Sequence, residues 1–333
     1  MKNLPIPRLD KNPYLRNCLL KYSRIKEGEI WDDPLGKHRI GCLDAASQSD
    51  IEKLMARKKA VLAIHDPPYN LIAFEERKLY DFVQWCKKWI ATTDFALVPN
   101  SSLYVWLGAD QRNGFQPLPD FMVMMRHTDF QTRSFITMRN QRGYGTPNNW
   151  MAVRQELLYY IKGNPTFNVD AKYTDIPKIL RGYYKEVNGQ LTENLERSKS
   201  ENIRAGNVWV DIQQVFYRMK ENVNGCYAQK PIKSAERIIR ASSNEQDLVI
   251  DFFCHSASTL ISAEMNKRRC YTIDSDPIYC EMAIRRLERF RQTGKTGWQN
   301  GNPFEREILT DPELISLVGE IPSVVEDNQL SLI

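Results

Sequence analysis

The chain has 333 residues, 42% hydrophobic and 26% charged, which excludes collagen-like, low-complexity and wholly disordered chains and allows one large or two modest domains. The net charge of +5 is unevenly spread: Phe304 to Ile333 carries −6 and the rest +11, so the basic body suits a polyanionic partner. No apolar run approaches the ~18 residues of a membrane span, and the opening Met1–Asp10, with two prolines and no apolar stretch, is no secretory signal.

Periodicity predicts alternating strands and helices. Ala60–Ile64 reads as a short buried strand running up to Asp66. Phe74–Thr93 reads as a helix with Leu79, Phe82, Val83, Cys86, Trp89 and Ile90 on one face. Ser102–Leu107 is a strand, Leu118–Arg126 a short helix, and Ser134–Met138 and Glu156–Ile161 two further strands. Gly163–Gly206 is polar, mixed in charge and broken by Gly, Pro and Asn. Order returns with a helix at Ile232–Ala241, a buried strand at Asp247–Phe253, a helix at Ser258–Asn266 and a strand at Cys270–Ile273. A helix at Pro277–Phe290 follows, opened by a proline that its first turn tolerates. Such alternation implies an α/β fold, a doubly wound and mostly parallel Rossmann-like sheet, with ligands at the carboxyl ends of its strands. The cysteines Cys18, Cys42, Cys86, Cys226, Cys254, Cys270 and Cys280 are scattered without a C-x-x-C pair. That argues against a disulfide framework and a zinc site, and for a reducing cytoplasm.

Two loops carry the chemistry. Asp66-Pro67-Pro68-Tyr69-Asn70 directly follows a hydrophobic strand. The two prolines lack backbone donors and hold the chain extended, leaving carbonyls to face a ligand. An acid before them and an aromatic after them suit a planar group bearing an amine. Asp66 and the Pro67 carbonyl would accept its two hydrogens while Tyr69 stacks on the ring; the plainer reading is a rigid strand-to-helix turn. The second loop, Asp251-Phe252-Phe253-Cys254-His255-Ser256-Ala257-Ser258-Thr259, also follows a buried strand and opens a helix, and the next strand ends at Asp274. Strand, small-residue turn, helix, strand and terminal acid make a nucleoside-binding half-fold whose acid accepts ribose hydroxyls.

Together, D-P-P-Y-N and the later D-F-F-C-H-S-A-S-T resemble the S-adenosylmethionine-dependent DNA amino-methyltransferases, which methylate N6 of adenine or N4 of cytosine. Gln229-Lys230-Pro231 with Glu236–Ser243 resembles the helix before the family's cofactor strand, and Ile273–Tyr279 its ribose-binding strand end. Catalytic loop first and cofactor loop last is the order of the circularly permuted beta group. The resemblance implies a catalytic set of Asp66, Pro67, Pro68 and Tyr69. It implies S-adenosylmethionine bound by Asp251, Phe252, Phe253, His255, Ser256, Ser258 and Asp274, with Lys230 at the edge. It makes double-stranded DNA the partner, needs no metal, and leaves open a homodimer and a companion restriction endonuclease. It divides the chain into an N-terminal arm (1–40), a catalytic half (41–163), a target-recognition region (164–229), a cofactor half (230–303) and an acidic tail (304–333). An initial Asp in the catalytic loop favours adenine over cytosine. A DNA-binding module that has lost catalysis is the reading of a different class.

The chain departs from the family's D-P-F-x-G-S-G-T-T. Phe252 stands for the proline, and His255 and Ala257 for two glycines that let the backbone turn tightly. His255 reads as a loop hydrogen bonder before a base, Cys254 as a small filler, and His65 as pointing into the sheet. Tyr14, Tyr22 and Trp31 read as packing groups. Arg139 and Arg142, beside Gly143-Tyr144-Gly145, are the candidate phosphate contacts, against a solvated loop.

Overall fold

The computed structural model describes residues 5–68, 78–109, 114–144, 148, 150–168, 183–194 and 206–319. Its helices are α1 (Pro13–Leu19), α2 (Gln48–Met55), α3 (Leu79–Ala96), α4 (Leu118–Met125), α5 (Ile232–Ser242), α6 (Ser258–Met265), α7 (Pro277–Thr293), α8 (Glu305–Thr310) and α9 (Pro312–Gly319). Its strands are β1 (Ile30–Asp32), β2 (His38–Cys42), β3 (Ala60–His65), β4 (Leu97–Trp106), β5 (Gln131–Tyr144), β6 (Ala152–Lys162), β7 (Tyr183–Val187), β8 (Gln190–Asn194), β9 (Val208–Trp209), β10 (Leu248–Asp251) and β11 (Arg269–Asp274).

One sheet has the order β1-β2-β11-β10-β3-β4-β6-β5-β9, and β7 and β8 form a separate hairpin. Its centre, β2-β11-β10-β3-β4, is parallel throughout, whereas β1, β6 and β5 join antiparallel. The predicted strands at Ser102, Ser134 and Glu156 are all longer than their apolar runs. Pro99 and Asn100 of β4 are exposed, and the outer halves of β5 and β6 are polar, so only their inner halves read as core strands, β5 by alternation and β6 by a continuous buried run. Conversely, the strand predicted to reach Phe253 stops at Asp251, where the chain turns. The helix predicted from Phe74 is described from Leu79; residues 74–77 lie outside the described residues.

Helices cover both faces. Phe82, Cys86, Trp89 and Ile90 of α3 pack with Phe121 of α4 and Ile250 on one side. Ile238, Ile261, Ile284 and Leu287, from α5, α6 and α7, pack with Ile64 and Val249 on the other. The two chain segments set apart by composition meet in a third cluster: Leu9, Leu15 and Leu19 bury against Tyr279, Phe304, Ile308 and Leu314. Charge supports the contact, since Asp311 receives Lys21 at 2.6 Å and the Tyr22 hydroxyl at 2.7 Å. Trp31 packs partly buried on the core; Tyr14 is 57% exposed and donates to Glu313. All seven cysteines are unbridged. Among the described residues, no helix is long and apolar enough to cross a membrane.

Candidate active site

The sheet order dictates where a ligand can bind. β3 connects outward through α3 to β4, and β10 connects the other way through α6 to β11, while β3 and β10 are neighbours. Diverging connections leave a crevice at their carboxyl ends, the switch point of a doubly wound sheet. Asp66 follows β3 and Asp251 ends β10, so residues 185 apart in the chain meet at that crevice. The cleft there is open to solvent and is lined by Asp66, Trp106, Lys230, Asp251, Phe253, His255, Ser256 and Ser258 among others.

The turn between β10 and α6 is built from backbone groups. Asp251 Oδ1 accepts the Phe253 amide at 3.0 Å, and Thr272 Oγ1 donates to the Asp251 carbonyl at 2.7 Å. Asp274 Oδ2 accepts the His255 amide at 2.9 Å and Oδ1 the Asp276 amide at 3.0 Å. Asp276 in turn caps α7 at the Ile278 amide and receives Arg16 of α1 at 2.6 Å. His255 and Ala257, which stand where the family has glycine, lie at φ 43° and 63°, in the left-handed region. The turn therefore keeps a glycine-type backbone without glycine, at a cost of roughly 1–3 kcal/mol for each such residue. Tertiary contacts hold it: the His255 ring lies 4.8 Å from that of Tyr279, and Ala257 is buried.

Burial sets the electrostatics. It pushes the Asp251 carboxyl up to about 8 and that of Asp274 up to about 7, and holds the His255 imidazole down to about 4. His255 is thus a neutral loop residue near neutrality, with its amide rather than its ring engaged at Asp274. Neither Asp251 nor Asp274 has an ion-pair partner among the described residues. Two buried carboxyl groups outside any ion pair among the described residues, with Arg16 acting on Asp274 only from its bridge to Asp276, suit a ligand bearing cationic groups and hydroxyl donors, so the donor set fits S-adenosylmethionine.

On the other side of the crevice, Pro67 is buried and Pro68 half-buried. Tyr69 lies outside the described residues. Lys230 was expected at the cofactor edge; it lines the cleft, and its Nζ sits 2.8 Å from Asp66 Oδ2. Its neighbours in the Q-K-P segment hold it there. Gln229 bonds the Val223 amide at 3.0 Å and the Glu221 carbonyl at 2.8 Å, and Pro231 caps α5.

Two residues were not read from the sequence as builders of the site, although His65 was expected to point into the sheet, where it lies. His65 is wholly buried: its Nδ1 accepts the Phe252 amide at 3.2 Å, its Nε2 pairs with Thr93 Oγ1 at 3.0 Å, and its ring stacks on Phe252 at 5.0 Å. It joins the end of β3 to the start of the cofactor-side turn, and burial drives its imidazole down to about 3. Arg286 of α7 is also buried; it donates to the Ser256 carbonyl, and at 2.7 Å to Thr296 O and 3.0 Å to Glu221 O. A sequence signal existed: Arg286 falls on the helix face of Tyr279, Ala283 and Phe290, so it is a basic residue on an apolar stripe.

Arg139 is exposed on β5 opposite Arg154. Because Leu157 pairs with Trp106 at the carboxyl end of β4, the Arg139–Arg154 level projects beyond the sheet on the same side as Asp66. The side chain of Arg142 lies outside the described residues.

The DNA methylase family profile matches residues 61–285. The Type II methyltransferase M1.MboII of Moraxella bovis is 30% identical over 260 residues, covering 74% of this chain and 94% of that protein. The DNA adenine methyltransferase YhdJ of Escherichia coli (strain K12) is 28% identical over 296 residues, covering 80% and 92%. In fold, the PvuII DNA methyltransferase (cytosine-N4-specific) aligns with a TM-score of 0.53 at 16% identity, covering 74% of this chain and 85% of that one. The profile spans the Asp66 loop, the Asp251–Ser258 turn and the sheet between them, and the Moraxella relative reaches 30% identity over most of both chains: the chain belongs to the DNA methylase family of S-adenosylmethionine-dependent amino-methyltransferases, whose targets are adenine N6 or cytosine N4.

Proposed function

We propose that the protein methylates an exocyclic amine in duplex DNA, with adenine N6 the target and cytosine N4 the alternative. The observation that carries this reading is the meeting of Asp66 and the 251–258 turn in one cleft. S-adenosylmethionine supplies the transferable methyl group when bound. Asp274 holds its ribose, and the turn from Asp251 to Ser258 holds the methionine portion.

The protein grips the phosphates with its basic body, Arg139 and Arg142 included, and receives one base extruded from the stack. Asp66 and the Pro67 carbonyl accept the two amine hydrogens, which concentrates the nitrogen lone pair away from them. Tyr69 stacks on the base. Orientation and charge alignment supply most of the acceleration, since no residue need act as a strong base. The initial Asp of D-P-P-Y supports adenine, and the Escherichia coli relative named as an adenine methyltransferase points the same way. The intact D-P-P-Y-N argues against a binding module that has lost catalysis.

The test is single-turnover methyl transfer to unmodified duplex DNA, followed by nucleoside analysis for N6-methyladenine and N4-methylcytosine. Asp66→Ala should lower the rate by ~10²–10³ through loss of a preorganised acceptor, with the thermal melt retained. A folded Asp66→Ala protein that methylates at the wild-type rate would sink the mechanism; N4-methylcytosine as product would replace the adenine assignment.

A further inference from the structure

Lys230 touches both halves of the site. Its carbonyl accepts the Ser258 hydroxyl at 2.7 Å, which ties its backbone to the first turn of α6. Its ammonium points the other way, 2.8 Å from Asp66 Oδ2 and 5.5 Å from the ring centroid of Trp106. The pair lies within the cleft, with side chains 13% and 27% exposed. A carboxylate at the start of a loop can rotate, and a short charge-assisted hydrogen bond from a well-anchored donor removes that freedom. Exposed ion pairs add little to stability; this one instead fixes the direction of a carboxylate at the mouth of the crevice. The same contact sets an anion against the ammonium in a cleft suited to a cationic ligand, which limits like-charge repulsion there.

We propose that Lys230 is a positioning residue for methyl transfer: it holds the Asp66 carboxylate in the orientation that accepts the target amine, and it makes that orientation depend on the cofactor-side turn through Ser258. The inference rests on the reading of Asp66 as the amine acceptor. It separates two things that one cleft would otherwise blur. Lys230 acts on the chemical step, through Asp66, and only weakly on the affinity for the methyl donor.

The test uses the full chain, tritiated S-adenosylmethionine and genomic DNA amplified in vitro, which carries no modification and so offers every sequence as substrate. Single-turnover rates are compared for wild type, Lys230→Met, Lys230→Arg, Asp66→Asn and the Lys230→Met, Asp66→Asn double variant, with calorimetric donor affinity and a thermal melt for each. Lys230→Met should slow transfer by ~10²-fold, as a misplaced reactive group does, with donor affinity within ~3-fold of wild type. Lys230→Arg should recover the rate to within ~10-fold because it keeps the charge-assisted contact. Added to Asp66→Asn, Lys230→Met should cost less than ~2-fold more, since residues acting through one contact are not additive. Should Lys230→Met melt early, Lys230→Gln, which keeps a donor, takes its place in the same cycle. Transfer at the wild-type rate in Lys230→Met, a loss confined to donor affinity, or an equal loss in the Asp66→Asn background overturns the proposal. Failure of the parent reading looks different, because a wild type that methylates none of the amplified DNA removes it before any variant is compared.

Discussion

The backbone amide of His255 donates to Asp274 Oδ2 at 2.9 Å, so the carboxylate at the end of β11 closes the turn that begins at the end of β10. One acid thereby shapes that turn, and the proposed function gives it the donor's ribose as well. Asp274→Ala should weaken S-adenosylmethionine binding by ~1–3 kcal/mol in calorimetry, the cost of a lost hydrogen-bond acceptor. Asp274→Asn, which retains one carbonyl oxygen, should fall between. An unchanged dissociation constant for the alanine variant would take the ribose away from Asp274.

Proton release should accompany donor binding. With Asp251 held up to about 8 and Asp274 to about 7, both by burial, the ligand-free protein retains protons that the unfolded chain has lost. The folded state then binds more protons than the unfolded state between about pH 4 and pH 8, so these two groups make stability fall as pH rises through that window. A cationic donor favours the carboxylates and expels the protons. Calorimetric titration with S-adenosylmethionine near pH 7, in buffers of different ionisation enthalpy, should give net release. Net uptake would contradict the electrostatic account of the cleft.

The left-handed turn makes a stereochemical prediction. Ala257 is buried at φ 63°. Ala257→Val places a β-branched side chain in a conformation it strongly disfavours and should destabilise by ~2–3 kcal/mol in urea unfolding. Ala257→Gly relieves the backbone but frees the unfolded chain, so it should lie within ~1 kcal/mol of wild type. A valine variant as stable as wild type would mean that residue 257 is not left-handed.

DNA affinity should fall steeply with salt through counterion release. Replacing Arg139 and Arg142 together by Gln should flatten the plot of log affinity against log salt by about two units, if each neutralises one phosphate. Filter binding of duplex DNA across a salt series measures the slope, and an unchanged slope assigns both residues to solvent.

Most of the central sheet was legible because β3, β10 and β11 are short apolar runs that run into Asp66, Asp251 and Asp274, and because strand–helix alternation admits few topologies; β2, His38–Cys42, has no such run and was not read. The outer strands were only half legible. In β5 and β6 the segment beyond the core carries Arg139, Asn140, Arg154 and Gln155, whose polarity erases the alternation that marks a strand. At the site, Asp66, Asp251, His255, Ser256, Ser258 and Lys230 do come together around the cleft, since each lies at a strand end or helix start that the topology fixes. His65 and Arg286 were not read as site-building residues for the opposite reason: their work is to bond backbone groups of a distant turn, and although the helix spacing of Arg286 marks it as facing the core, no spacing in the sequence names those distant partners. The packing of α1 against α8 and α9 was hidden likewise, because the acidic charge of that segment masks the apolar face carried by Phe304, Ile308 and Leu314.

The sheet order has a consequence for how the protein is made. β2 and β3 follow one another in the chain, yet in the sheet β11 and β10 lie between them. The strands synthesised last therefore enter the middle. Until residues beyond Leu248 leave the ribosome, β2 and β3 each keep an unpaired flank, and the apolar faces that α6 and α7 will cover stay open. Such edges invite wrong partners, and closing them requires contacts between residues far apart in sequence. A nascent chain halted before β10 would hold no ligand crevice and no finished core, and its open edges would be exposed to wrong pairing while the polar middle segment is being translated.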